Sequence, residues 1–286
     1  MKKVLITGSD SYIGNWLEYR LGQEPSRYQV TVLDVRGNSY LHHDFAAYDV
    51  IFHVAALVHE KNKKGMQALY FKINRDLTLK LAKKAKDEGV RHFIFLSTMN
   101  VYGLMSGRID SSTPVLPQTA YGRSKASAED LLRELEDNLF TLAILRPPMV
   151  YGRGCKGNYP KLRRLVLGLI PFFPDVDNQR SMIYIENLIE FVKYLIDHEE
   201  GGLHFPQNSE YISTGKMAFL IAQANGKKLH LTRAFNPLIS KIRLDPFAKL
   251  FGNLTYDYSL STSIQDFDVC SFEESILRTE GVSELV

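Results

Sequence analysis

Short apolar runs rich in β-branched and aromatic residues recur along this chain, separated by longer stretches in which apolar positions return every three or four residues. The runs predict strands over Val4–Thr7, Val30–Asp34, Val50–Ala55, Phe93–Ser97 and Phe140–Leu145. The longer stretches predict helices, most clearly over Met66–Asp87. There Leu69, Ile73, Leu77, Leu81 and Ala85 fall four apart, Gly89 supplies a stop, and Lys80, Lys83, Lys84 and Lys86 read as a solvated face. Alternation of this kind predicts an α/β fold, a doubly wound parallel sheet covered by helices. After Arg146 the rhythm breaks into Pro147, Pro148, Gly152, Gly154, Gly157, Pro160, Pro171 and Pro174. A sheet domain over residues 1–150 is therefore expected, followed by a smaller, irregular substrate-binding region over 151–286. The helical stretch Ile185–Ile196 is expected to return to the sheet and interleave the two.

Composition narrows the partners. At 286 residues, 45% hydrophobic and 23% charged, the chain is long enough for roughly two structural units. A net charge of +3 and a pI of about 8.6 are too mild to indicate nucleic acid and are compatible with a diphosphate-bearing substrate. Cys155 and Cys270, the only cysteines, have no metal-ligand spacing, and neither do His42, His43, His53, His59 and His92, so no metal is expected and a reducing compartment, the cytoplasm, fits best. The longest apolar candidate, Leu165–Phe173, is broken by Gly168 and Pro171, far short of the roughly 18 residues of a membrane span. An apolar run between prolines, Leu165–Pro174 reads as a pocket wall or lid in preference to a membrane-surface patch. Lys2 and Lys3 lead straight into a buried first strand, unlike a signal peptide.

Candidate chemistry sits at the strand ends. Gly8-Ser9-Asp10-Ser11-Tyr12-Ile13-Gly14 follows a strand and opens the helix bearing Trp16, Leu17 and Leu21, the setting in which a glycine turn places a dinucleotide pyrophosphate on a helix N-terminus. Gly8 permits the tight turn and Gly14 the close helix–strand packing, while Ser11 stands where a middle glycine usually does and offers a hydroxyl. Asp34 closes the second strand about 20 residues after Gly14, placed to accept from the adenine-ribose 2′-hydroxyl and to repel a 2′-phosphate, which favours NAD over NADP. Arg36, two residues on, offers a phosphate partner if it swings in. Asp44 reads equally as an adenine contact and as a solvated loop acid. Thr98, at the C-terminal end of the fourth strand, is placed to hydrogen-bond a substrate oxygen. Tyr121 and Lys125 share a helix face, so that the ammonium favours the ionised phenol and makes a base. Alone, each of these features is ordinary in a strand-to-helix turn or a helix.

Taken in order, Gly8 to Gly14, Asp34, His53-Val54-Ala55-Ala56, Ser97-Thr98 with Val101-Tyr102-Gly103, Tyr121 to Lys125 and Arg146-Pro147 resemble the extended short-chain dehydrogenase/reductases, in particular the NAD-dependent epimerase/dehydratase branch acting on nucleotide sugars. Val150-Tyr151-Gly152 with Gly157-Asn158, the segment Arg180 to Leu188 and Leu250-Phe251-Gly252 extend the resemblance over nearly the whole chain. It is similar to UDP-glucose 4-epimerase-like proteins and to the related UDP-4-keto-sugar reductases. The resemblance implies a Rossmann domain in which Tyr121 is the general base or acid, Lys125 binds the nicotinamide ribose and lowers the tyrosine pKa, and Thr98 holds the reacting hydroxyl. It implies cofactor contacts from Gly8, Ser11, Tyr12, Ile13 and Gly14, from Asp34 and Asp44, and from Ala55, Ala56 and Pro147. Arg180 would contact the diphosphate of a UDP-sugar and Asn158 would line the pocket; the bland readings are a surface ion pair and a turn residue. A homodimer through the Tyr121 helix and the Met66–Asp87 helix is implied as well.

Two positions depart from the family pattern: Ser11 for glycine, and Asn187 where an Asp is common. Three functions follow as expectations: NAD-dependent epimerisation at C4 of a UDP-hexose, NAD(P)H-dependent reduction of a UDP-4-keto-6-deoxy sugar, and a non-catalytic dinucleotide sensor. A 4,6-dehydratase fits less well, because Met99 and Asn100, not an acidic pair, follow Thr98.

Overall fold

Apolar runs without polar alternation need cover on both faces, and the strands of this protein have it. The computed structural model describes residues 1–58, 66–168, 170–239, 250–261 and 267–282, so His59 and Leu169 lie outside the described residues. Its first half runs β1 (Lys2–Thr7), α1 (Tyr12–Gly22), β2 (Tyr28–Leu33), β3 (Val50–His53), α2 (Met66–Phe71), α3 (Thr78–Asp87), β4 (His92–Leu96), β5 (Gly107–Ile109), α4 (Ala120–Arg133) and β6 (Thr141–Leu145). There follow β7 (Met149–Tyr151), α5 (Asn158–Leu167), β8 (Phe172–Pro174), β9 (Met182–Tyr184), α6 (Ile185–His198) and β10 (Gly202–His204). The chain continues with α7 (Thr214–Ala224), β11 (His230–Thr232), α8 (Asn236–Ile239), β12 (Leu254–Tyr256) and α9 (Phe272–Glu280).

The chain divides into two compact units. The first takes Met1–Gly103, Pro114–Pro147 and Ile189–Pro206; the second takes Leu104–Thr113, Pro148–Leu188 and Gln207–Val286. The first unit is a six-stranded sheet in the order β10-β6-β4-β3-β1-β2, every pair parallel. One sheet face, with Leu5, Ile51, Phe93, Phe95, Leu142 and Ile144, packs on Leu81, Ala82 and Ala85 of α3 and on Ala128 and Leu132 of α4. Successive side chains alternate sides, so Val4, Ile6, Val50, Phe52, Ile94 and Ala143, all fully buried, point the other way. Apart from Ala143, each such side chain contributes about 1.5–3 kcal/mol by leaving water. The order reverses between β1 and β3, which opens a crevice outside the C-terminal ends of those two strands.

One predicted helix is interrupted. Over Met66–Asp87 the α-helical pattern gives way to a π-helical stretch, Lys72–Leu77, between α2 and α3. The extra residue turns Asn74 fully inward. The second unit holds three two-stranded parallel pieces, β7 with β9, β5 with β12 and β8 with β11. Its core includes Tyr151, whose ring lies 5.6 Å from that of Tyr184 and 6.0 Å from that of Tyr159. The Leu165–Pro174 run does not form one wall: Val166 and Phe173 are buried, whereas Leu165 and Phe172 are exposed.

Candidate active site

The turn after β1 is held in a conformation that requires glycine. Gly8 has φ +117°, and a Cβ there would lie 2.9 Å from the Ala55 nitrogen just beyond β3. The two chain segments thus nearly touch at the crevice mouth. An α-helix leaves its first N–H groups without intrahelical acceptors. Ser11 caps α1 by accepting from the Gly14 N–H at 3.2 Å, which gives the serine that replaces the middle glycine a structural task. Gly14 packs against Ile6 and Val54, where a Cβ would meet methyl groups at 3.1 Å. This cradle, a narrow glycine turn at a helix N-terminus, fits a dinucleotide pyrophosphate. Ala56 follows Ala55 in the same loop, half-buried.

At the end of β2 the site is more crowded than expected. Arg36 binds Asp34 with its backbone N–H at 2.9 Å, its Nε at 2.9 Å and its Nη2 at 2.6 Å, and pairs with Asp10 at 2.8 Å. Asp34 is held below the usual carboxylate range by these bonds. Arg36 and Asp10 are exposed and Asp34 is half-buried, so the cluster is open to exchange with a ligand. Asp44, also exposed, accepts from the Ala46 N–H at 3.0 Å and shapes its own turn.

At the end of β4, Thr98 is buried and starts a short 3₁₀ turn, Met99–Tyr102, by accepting from the Asn100 N–H at 3.2 Å. Pro147, buried after β6, accepts from the Met99 N–H at 2.9 Å. Helix α4 approaches this turn closely because residue 122 is glycine: a Cβ there would lie 2.6 Å from the Asn100 carbonyl oxygen. That approach brings the half-buried Tyr121 beside the Thr98 side chain. Thr98 and Tyr121 therefore meet, and Lys125 stands one turn behind.

The expected effect of Lys125 on Tyr121 is not the one found. The Lys125 ammonium donates to the Leu96 carbonyl at 2.7 Å and lies 4.5 Å over the Phe95 ring. Burial pushes the Tyr121 phenol up to about 12, with the Thr98 side chain acting the other way. Burial likewise pushes Lys125 down to about 7, opposed by the charge of Glu129. The i, i+4 spacing gives a shared face, but the ammonium follows the nearer carbonyl.

Four residues outside the predicted set complete the site. Asn74 in the π-helical stretch binds Leu57 twice, accepting from its N–H at 2.7 Å and donating to its carbonyl at 3.0 Å, and donates to the Ser124 hydroxyl at 3.1 Å. It joins the loop beyond Ala55 and Ala56 to the helix of Tyr121. His53 extends the chain, with Nδ1 2.6 Å from the Thr7 hydroxyl and Nε2 2.8 Å from the Thr78 hydroxyl, which itself donates to the Asn74 carbonyl at 2.9 Å. Burial pushes this imidazole down to about 3. Glu129 and Arg146 form a buried pair, with Arg146 Nε 3.1 Å from Glu129 Oε1. Ser97 donates to the same carboxylate, and Arg146 donates to the Tyr102 hydroxyl at 2.7 Å.

Arg180 and Asn158 belong to the second unit. Arg180 is half-buried and donates to the Gly252 carbonyl at 2.7 Å; it has no carboxylate partner among the described residues, so it is not a surface ion pair. Burial holds its pKa below the usual guanidinium value. Asn158 is exposed at the start of α5. Asn187 donates to Asp268 at 2.6 Å and accepts from the Val269 N–H at 3.0 Å. An Asp there would face the Asp268 carboxylate, which accounts for the amide.

Residues 4–207 match the family model described as NAD dependent epimerase/dehydratase family. A UDP-glucose 4-epimerase of Vibrio cholerae is 31% identical over 251 residues, 79% of this chain and 76% of that protein. The N-acetyl-alpha-D-glucosaminyl-diphospho-ditrans,octacis-undecaprenol 4-epimerase of Escherichia coli O157:H7 is 31% identical over 173 residues, 59% of this chain and 52% of that protein. Among solved structures, UDP-glucuronic acid 4-epimerase of Bacillus cereus in complex with NAD superposes with a TM-score of 0.75 at 20% identity, covering 98% of each chain. A dTDP-4-dehydrorhamnose reductase of Clostridium acetobutylicum gives a TM-score of 0.74 at 20% identity, covering 98% of this chain and 99% of that one. At such identities the structural likeness shows the fold alone.

Proposed function

The chain belongs to the NAD-dependent epimerase/dehydratase family, and from that premise we propose that it inverts C4 of a UDP-hexose with bound NAD. The observation that carries the reading is that Tyr121 and Thr98 stand side by side at the end of β4. Bound NAD, held by the Gly8–Gly14 turn, would supply the hydride acceptor and donor. Thr98 holds the C4 hydroxyl of the sugar while the Tyr121 phenolate accepts its proton. After the keto sugar turns over, the same phenol returns the proton to the oxygen on the new face, so that no net oxidation occurs. Lys125 holds the nicotinamide ribose, and the positive charge of the oxidised cofactor would lower the cost of ionising Tyr121. Gly8 and the Ser11–Gly14 turn take the pyrophosphate, Asp34 the adenine ribose, and Asp44 the adenine edge. Ala55, Ala56 and Pro147 wall the cofactor. Arg180, without a carboxylate partner among the described residues, binds the substrate diphosphate in bidentate fashion, and Asn158 contributes to sugar binding. A cytoplasmic homodimer through α4 and the α2–α3 helix belongs to the same reading, and light scattering tests the dimer.

Proton NMR of the purified protein with UDP-glucose and then UDP-N-acetylglucosamine, no cofactor added, tests the reaction: the anomeric signal of the C4 epimer grows. No new anomeric signal from either sugar rejects epimerisation of these substrates. One observation favours a second reading, reduction of a UDP-4-keto-6-deoxy sugar. Arg36 already lies against Asp34, and its guanidinium suits the 2′-phosphate of NADPH, the usual cofactor of biosynthetic reductions. Consumption of NADPH with a 4-keto sugar, without epimerisation, would establish it.

A further inference from the structure

Two long stretches of the second unit are free of acids, and of their residues the reaction uses Asn158 alone. From Pro148 to Pro174 the sequence has Arg153, Lys156, Lys161, Arg163 and Arg164 and no Asp or Glu. From Tyr211 to Leu244 it has Lys216, Lys227, Lys228, Arg233, Lys241 and Arg243 and again no acid. Part of this charge is taken up internally. Arg163 pairs with Glu280, Arg233 with Asp175, and Lys216 with Glu210 and Glu273, while Lys227 donates to the Val166 carbonyl at 2.6 Å at the end of α5. Lys161, Arg164 and Lys228 are exposed and have no carboxylate partner among the described residues.

Beside these cations the fold leaves two large apolar side chains in water, Leu165 at 44% exposure and Phe172 at 53%. Lys161, Arg164 and Leu165 share one face of α5 by their i, i+3, i+4 spacing. Lys227 ties the end of α5 to the approach of β11, the His230 N–H donates to the Pro171 carbonyl at 2.9 Å, and the rings of Phe172 and His230 lie 5.8 Å apart. Cations and apolar side chains are thus carried on segments bonded to one another.

We propose that this patch docks the enzyme on an anionic lipid surface. Reversible membrane attachment takes two signals, apolar side chains for the acyl boundary and cations for the headgroups, and both are present. A second copy of the chain is a poor occupant, because an isologous contact would set the same cations against each other. No helix among the described residues is long and apolar enough to cross a membrane, so the contact is peripheral.

The full chain is sedimented with vesicles of phosphatidylcholine, alone and mixed with phosphatidylglycerol. It should partition onto the mixed vesicles and be released by salt. Each cation contributes about five-fold, so reversing two, Lys161→Glu with Lys228→Glu, lowers that partition by at least about 25-fold. Phe172→Ser, which alters no charge, lowers it as well. Both variants keep the circular dichroism spectrum and whatever nucleotide-sugar turnover the unaltered protein has, since the patch is not part of the reaction site. Absence of sedimentation with mixed vesicles, undiminished partition of the charge-reversed protein, or a dimer in light scattering that the reversal abolishes would each overturn the proposal.

Discussion

Glu129→Gln is a demanding test of the site's framework, because it keeps shape and removes one charge. Its carboxylate accepts from Ser97 and pairs with Arg146, both ions almost wholly buried, and Arg133 reaches it at 3.2 Å. A glutamine side chain can still accept from Ser97, but the Arg146 guanidinium is left as an uncompensated charge in the core. Breaking a buried pair in this way costs about 3–5 kcal/mol, a change of roughly 150- to 5,000-fold in the unfolding constant. The urea midpoint should fall by roughly 1–3 M. The single tryptophan, Trp16 on α1, lies in the first unit and supplies the fluorescence readout. Adding Arg146→Met removes the orphaned charge, so the double variant should be at least about 1 kcal/mol more stable than the sum of the singles. A loss below about 1 kcal/mol for Glu129→Gln, the range of an exposed pair, or strict additivity in the cycle, would refute the buried-pair argument.

Tyr121→Phe should lower turnover by about 10²–10⁴-fold, the range for loss of a proton-transfer group, with NAD affinity by titration calorimetry unchanged; a fully active variant would end the assignment. Asn74→Ala removes three hydrogen bonds and should cost about 2–3 kcal/mol in urea unfolding while weakening NAD binding, since the loop beyond Ala55 loses its anchor. His53 is held neutral by burial down to about 3 and His92 to about 4, whereas unfolded imidazoles titrate near 6.5. The unfolded chain therefore binds more protons below that value, so their contribution is fully present above it. It is lost as pH falls toward 3, at about 1.4 kcal/mol per pH unit for each group. Urea midpoints at about pH 7.5 and about pH 5 should show the loss, and His53→Gln should shrink it. Lys125, pushed down to about 7 from 10.5, gives the same sign at higher pH, with stability rising between those values. Lys125→Met should consequently be more stable than the native protein near neutrality, by thermal unfolding, yet inactive.

The five predicted strands all formed, and Ile185–Ile196 became most of α6, because continuous apolar runs and helical periodicity are local signals that survive into the fold. The sixth strand, Gly202–His204, was missed: three residues with one buried position carry no pattern. The π-helical stretch was missed for the opposite reason, since the i+4 pattern of Met66–Asp87 is regular right through it. What breaks the helix there is the inward pull on Asn74. An Asn in a helix interior competes for backbone partners, and that was the available signal. The placement of Gly8, Thr98 and Tyr121 was legible because it follows from the chain's own turns, strand ends and helix start. The partners of Asp34 and Lys125 were not, because a side chain's nearest acceptor is decided in three dimensions. Glu129 and Arg146 meet only after the sheet has formed.

Strand β10 pairs with Ala143–Leu145 of β6, yet it is translated roughly 60 residues later. At about 5–20 residues per second on the ribosome, the nascent sheet waits roughly 3–12 s with one long edge open. That edge, Thr141–Leu145, is a threonine followed by four apolar residues, without charge or proline, the kind of sequence that recruits other strands. A trigger for misassembly is thereby built into the order of synthesis, and chains stalled before residue 202 should be the ones that bind holdase chaperones.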